Sequence, residues 1–267
     1  MHEIVPTRQR GAFLVVSGTT EQSWVDLSDP LRLEFEYVQR VAEALDATVL
    51  ARPADERVRV VHIGGGGLTL PRYVVARRPH SAQIVLEPDA DLVENVRARL
   101  PLPPNSGVKT RLTDGLAGVA AMPDAYADAV ILDAFANAQV PGELVAGEFL
   151  ADVARVLRPG GVFVANVTDR SPLQWCRRVV AGVCERWRQV AVSAEVPVWK
   201  GRRFGNFVVV ASASGLPVSV LERRVARAAF PHRLLWGTAL SRWVADADAF
   251  TLADAQPSPP PGPAWFG

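Results

Sequence analysis

The chain has 267 residues, 49% of them hydrophobic, and balances 29 basic against 28 acidic side chains for a net charge of +1; that length suits one large domain or one domain with a small appendage. Basic and acidic residues are mixed along the sequence, so the clustered positive face of a nucleic-acid binder is missing, and no apolar run is long enough to predict a membrane span. Cys176 and Cys184 have neither metal-ligand spacing nor the look of a disulfide framework, so no metal is expected, and the opening MHEIVPTRQRG lacks a signal-like apolar stretch, which predicts a cytoplasmic protein.

In chain order, residues 12–26 (AFLVVSGTTEQSWVD) predict a hairpin turning at Gly18. Leu33, Val38, Val41 and Leu45 then fall on one face of a predicted helix. From residue 58 the pattern becomes a repeating unit of apolar strand and helix. Strands are predicted at 58–63, 83–87, 108–112, 127–133 and 162–167, with helices at 70–77, 89–100 and 143–157. Pro159 and Gly160 in RPGG stop the last of these helices. Two further apolar stretches, RQVAVSAEVPVW and GNFVVVASA, are separated by the turn-like KGRRFG and predict an antiparallel pair. The tail AQPSPPPGPAWFG is proline-rich and predicts an extended or disordered segment.

Strands apolar on both faces and alternating with helices imply a parallel sheet covered on both sides, hence a doubly wound, Rossmann-like α/β domain. The expected organisation is a hairpin-plus-helix subdomain over residues 1–50, a nucleoside-binding catalytic domain over 51–250, and the tail over 251–267.

Gly64, Gly65, Gly66 and Gly67 join the first strand of that domain to its first helix, where bare backbone lets a ligand approach helix N-terminal N–H groups. As a dinucleotide fingerprint the loop is defective, because Thr69 replaces the third glycine. Glu87 closes the second strand, where a carboxylate can accept hydrogen bonds from ribose hydroxyls. Asp114 follows the third strand, either facing an adenine amine or acting as a helix N-cap. Asp133 ends the fourth strand. All three acids point to the carboxyl edge of the sheet, where open α/β folds hold ligands. His62, with no Cys/His cluster near it in sequence, is expected to be a hydrogen-bonded core residue.

At these residues the sequence resembles the spermidine synthase family, polyamine aminopropyltransferases on the class I S-adenosylmethionine-dependent methyltransferase fold. The resemblance runs over residues 12–213 through EQSWVDLSDPLRLEFEY, HIGGGG, VLEPD, LTDG, ILDAF, VLRPGGVFVANV and the final strand pair. It implies that Glu87 holds ribose, that Asp114 binds the adenine amine, that Asp133 is the general base, and that Gln22 and Tyr37 line the substrate pocket. It also leaves open a homodimer built through the small N-terminal sheet.

Three positions depart from the family. Members with aminopropyl activity read Gly-Gly-Gly-Asp-Gly-Gly and use that aspartate to grip the amine of decarboxylated S-adenosylmethionine; here Gly67 stands in its place, followed by Leu68 and Thr69. Ala136 replaces a second, acceptor-binding aspartate, and Val38 replaces the usual His or Gln. Each lost carboxylate removes a charge-assisted hydrogen bond of about 1.5–3 kcal/mol.

The residues therefore lead to a transferase that binds S-adenosylmethionine or its decarboxylated form and alkylates a small amine or hydroxyl acceptor, with methyl transfer ahead of aminopropyl transfer. Genuine aminopropyl transfer, with carboxylates from Asp26, Asp29, Glu34 or Glu36, is the alternative. A non-catalytic nucleoside-binding descendant and an NAD(P)-dependent dehydrogenase are the further ones.

Overall fold

A computed structural model describes residues 2–18 and 20–262. The chain opens with a three-stranded antiparallel sheet of β1 (His2–Pro6), β2 (Ala12–Ser17) and β3 (Thr20–Asp26). The predicted hairpin is thus present, with β1 added along β2. Helix α1 (Glu36–Ala47) follows. Its buried face of Val38, Val41, Ala42 and Leu45 packs with Val164 and Val208 of the large sheet rather than with the small one.

The large sheet is wound from β4 (Arg59–Ile63), α2 (Thr69–Arg77), β5 (Ala82–Leu86), α3 (Ala90–Arg99), β6 (Val108–Arg111), α4 (Gly115–Ala120), β7 (Ala127–Leu132), α5 (Gly147–Val156), β8 (Leu157–Asp169), α6 (Gln174–Arg186), β9 (Gln189–Glu195), α7 (Val196–Trp199), β10 (Gly205–Ser212), α8 (Val218–Val225), β11 (His232–Trp236) and α9 (Gly237–Val244). Its strand order is β11-β9-β10-β8-β7-β4-β5-β6. From β8 to β6 neighbours are parallel, whereas β10 runs antiparallel to β8 and β9, and β11 antiparallel to β9.

The central strands read as uninterrupted apolar runs because both faces are covered. Every residue of β7 is buried; Val130 and Leu132 enter the core under α5 and α6, while Ala129 and Ile131 enter the one under α1 and α2. Val130, Ile131 and Leu132 each contribute about 1.5–3 kcal/mol when removed from water. A third cluster joins Ile4, Val15 and Val25 of the small sheet to Leu92, Val96 and Leu100 around α3, so the small sheet sits over one end of the large one.

The helix expected over 143–157 is two pieces, a 3-10 turn at Gly142–Val145 and then α5, because Ala146 takes an extended conformation between them. RPGG lies within β8, and Gly160 has the left-handed φ of +77° expected of it. The proline-rich tail runs without regular secondary structure as far as residue 262 and is tied to the body by hydrogen bonds; the rest of the tail, 263–267, lies outside the described residues.

Candidate active site

Parallel pairing assembles the site. β4 lies between β5 and β7, with Ile63 opposite both Leu86 and Leu132, so Gly64, Glu87 and Asp133 emerge side by side at the carboxyl ends. The Gly64 N–H donates to Leu86 O and the Asp133 N–H to Ile63 O, each at 2.9 Å. β6 extends the row, since the Glu87 N–H donates to Arg111 O at 3.1 Å and Asp114 follows shortly after. Three strand spacings separate β6 from β7, about 14 Å along the ligand-holding edge.

The glycine loop is shaped by close approach. A Cβ on Gly64, whose φ is +94°, would lie 2.2 Å from the Asp133 carbonyl oxygen, so no side chain fits there. The Gly65 N–H donates to Glu87 Oε2 at 2.8 Å and the Asp89 N–H to Oε1 at 3.0 Å, which holds the carboxylate at the strand end with lone pairs to spare. Further along, the Gly67 N–H donates to Ser23 Oγ at 2.9 Å, and a Cβ on Gly67 would meet Val25 Cγ2 at 2.7 Å and Val15 Cγ2 at 3.1 Å. Where the resembled family carries an acid, the small sheet fills the space. Leu68 is buried beside Val15 and Val25 despite a left-handed φ of +60°. That conformation costs a non-glycine residue about 1–3 kcal/mol, which the burial offsets.

Asp133 is half-buried and accepts a 2.9 Å hydrogen bond from Asn166 Nδ2. Burial raises its pKa to about 6, while the Asn166 bond pulls the other way. Tyr37, in the first turn of α1, has its phenol pushed well above its ordinary value, first by burial and then by the charge of Asp133, so these two predicted site residues are within electrostatic reach of each other. Gln22 on β3 is half-buried, and its Oε1 has no hydrogen-bond partner among the described residues; the same holds for Oδ1 of fully buried Asn166. Unpaired buried acceptors are costly and so point to donors from a ligand.

Asp114 is exposed and N-caps α4, accepting from the Ala117 N–H at 2.8 Å. The capping role weighed from sequence is therefore real, and Asp114 stands just past the carboxyl end of β6. Of the acids considered as substitutes, Asp26 is spent on Gln9, Ser28 and Asp29 inside the small sheet, and Asp29 and Glu34 are exposed. Glu36, beside Tyr37, is half-buried near Arg40 and His232 at 3.7 and 3.6 Å. His62 is a core residue 2.8 Å from Gln83 Oε1, and burial drops its pKa to about 4. Among the described residues no group of His, Cys, Asp and Glu could hold a metal, and no helix is long and apolar enough to cross a membrane. Two surface clefts of about 300 and 240 Å³, around Arg72 with Pro101 and around Arg52 with Pro217, include none of Glu87, Asp114 or Asp133.

Sequence reasoning missed Asn166 and Ser23. Asn166 did leave a signal, as a lone amide inside the apolar strand VFVANV, whereas Ser23 sits in a hairpin where serine is unremarkable.

No family model matches the chain. It is 26% identical to the polyamine aminopropyltransferase of Vibrio vulnificus over 144 residues, 53% of this chain and 46% of the relative. The enzyme of that name from Chromobacterium violaceum is 26% identical over 153 residues, 57% and 56% of the two chains. The chain thus spans about half the length of the curated relatives it matches. A solved structure described as a probable spermidine synthase from Corynebacterium glutamicum superposes with a TM-score of 0.87 at 29% identity, covering 94% of this chain and 92% of that one. Human methyltransferase-like protein 13, solved with SAH, shares the fold at a TM-score of 0.57 and 20% identity over 73% of this chain and 94% of that one. Both curated relatives are named for aminopropyl transfer and the solved structure of highest overlap as a probable spermidine synthase, names on the side of the alternative rather than of the methyl transfer placed first from the glycine loop.

Proposed function

We infer that this chain, on its methyltransferase-like fold, is a spermidine synthase-like transferase moving the aminopropyl group of decarboxylated S-adenosylmethionine to a small amine. The observation that carries the inference is Asp133: a half-buried carboxyl with its pKa raised to about 6, oriented by Asn166, one strand away from the glycine loop. Such a group is ionised at neutral pH and basic enough to take a proton from an attacking amine.

In the reaction the acceptor nitrogen forms a bond to the carbon beside the sulfonium. The carbon–sulfur bond breaks with its electron pair remaining on sulfur, giving a neutral thioether, and the surplus proton passes from nitrogen to Asp133. Glu87 supports the ribose and Asp114 the adenine. Gln22 and Tyr37 line the acceptor side, and proximity does most of the work.

One observation favours methyl transfer from S-adenosylmethionine instead. Gly67 offers no anion to the donor amine and leaves no room to acquire one beside Val25. Supplying each donor separately with a panel of diamines, and identifying the nucleoside released, separates the two reactions. Aminopropyl transfer gives methylthioadenosine; S-adenosylhomocysteine from the ordinary donor, with no methylthioadenosine from the other, would establish methyl transfer.

A further inference from the structure

The tail is bound to the body along the same edge as the candidate site. Phe250 O accepts from the Gly147 N–H at 2.7 Å, and Gln256 O from Trp175 Nε1 at 2.8 Å. Gly142 lies so close that a Cβ there would come within 2.6 Å of the Gln256 carbonyl carbon. The contacts culminate at Ser258, which is 0% exposed. Its N–H donates to Val140 O at 3.0 Å, and the Val140 N–H donates back to Ser258 Oγ at 2.9 Å. Gln139 Nε2 donates to the Ser258 carbonyl, and the Ser258 and Thr168 hydroxyls are hydrogen-bonded at 3.1 Å.

Both anchors lead to Asp133. Val140 ends the connection that leaves Asp133, and reciprocal backbone hydrogen bonds of 2.8 and 3.0 Å between Ala136 and Gln139 make that connection a closed turn. Thr168 lies two residues past Asn166 on β8, so their side chains share a face of the strand. One holds Ser258 and the other holds Asp133. A hydroxyl so completely buried would be costly unpaired, yet here it ties three segments together.

We propose that Ser258 is a positioning residue of the active site: through it the C-terminal strap fixes the 134–140 connection and, from the acceptor side, the placement and water access of the Asp133 carboxyl. Only the link to turnover rests on the proposed transfer reaction. The strap makes no contact with Glu87 or the glycine loop in the hydrogen bonds above, so the donor side is left alone.

The test compares the full chain with its Ser258→Ala and Thr168→Val variants, reading amide hydrogen exchange over 134–140, the titration of the Asp133 carboxyl by carbon NMR, and methylthioadenosine binding by calorimetry. In Ser258→Ala, exchange at Val140 is expected to rise about tenfold, the effect of losing a buried hydrogen bond. The Asp133 midpoint should fall towards the ordinary carboxylate range as water enters, and methylthioadenosine affinity should be unchanged. Thr168→Val, which keeps the Val140 contacts, should move the midpoint the same way by less. A lower melting temperature with exchange and Asp133 titration as in the parent chain would reduce the strap to a structural tie and overturn the proposal. None of these readouts needs a known acceptor, so absence of aminopropyl transfer in the parent chain would count against the reaction and not against the strap.

Discussion

In its proposed role as the base, Asp133 sets stability against chemistry. Its folded pKa of about 6 lies above the ordinary 3.8, so the folded chain favours the protonated acid. Stability is therefore lost as pH rises from about 4 to about 6, and the full penalty applies above that. Asp133→Asn should accordingly raise folding stability at pH 8 by about 1–3 kcal/mol, with the gain vanishing below pH 4, while turnover falls about 10²–10⁴-fold; denaturant melts at the two pH values and steady-state rates check both halves. Asn166→Leu removes the bond that lowers the Asp133 pKa, so the acidic limb of the kcat/KM profile should move to higher pH, and an unmoved limb would mean that Asn166 does not orient the base. Glu87→Ala should weaken methylthioadenosine binding about tenfold or more by calorimetry, as expected when a charged hydrogen-bond acceptor is lost. Glu87, Asp114 and Asp133 were legible in the sequence because each acid interrupts or follows an apolar strand where burying charge is costly. Asn166 was not singled out, since a single amide in a strand carries no spacing that separates a functional role from a structural one.

At the scale of elements, the decisive contact is between the glycine loop and β3. Restoring an acid with Gly67→Asp puts a Cβ 2.7 Å from Val25 Cγ2, so the variant should lose about 1–3 kcal/mol of stability by overpacking. Val25→Ala should return part of that loss when combined with it, so the two changes should couple in a double-mutant cycle; strictly additive melting data would show that the small sheet does not close over the loop. This packing was invisible to sequence because Val15 and Val25 read simply as alternating strand residues, and nothing local says which face meets Gly67. The repeating strand–helix units were legible for the opposite reason. They depend on short-range periodicity that persists whatever packs against it. Elements without that periodicity were missed: α7 has four residues, and β11 buries only Leu235 fully.

The whole molecule is a doubly wound sheet whose edge is closed from two directions, by the N-terminal sheet over the glycine loop and by the C-terminal strap against Val140 and Thr168. Sequence located the first closure as a hairpin and treated the second as a loose tail, because proline-rich composition reports conformational stiffness and says nothing of the buried hydroxyl of Ser258. Under the proposed function, the row from Asp114 through Glu87 to Asp133 between these two closures takes the adenosyl group. The most direct measurement is a crystal structure of the chain with methylthioadenosine. The ribose hydroxyls should lie on the Glu87 carboxylate, the adenine amine on Asp114, and the sulfur should face Asp133. Methylthioadenosine seated elsewhere, or running the opposite way so that its sulfur points from Asp133, would contradict the proposed transfer.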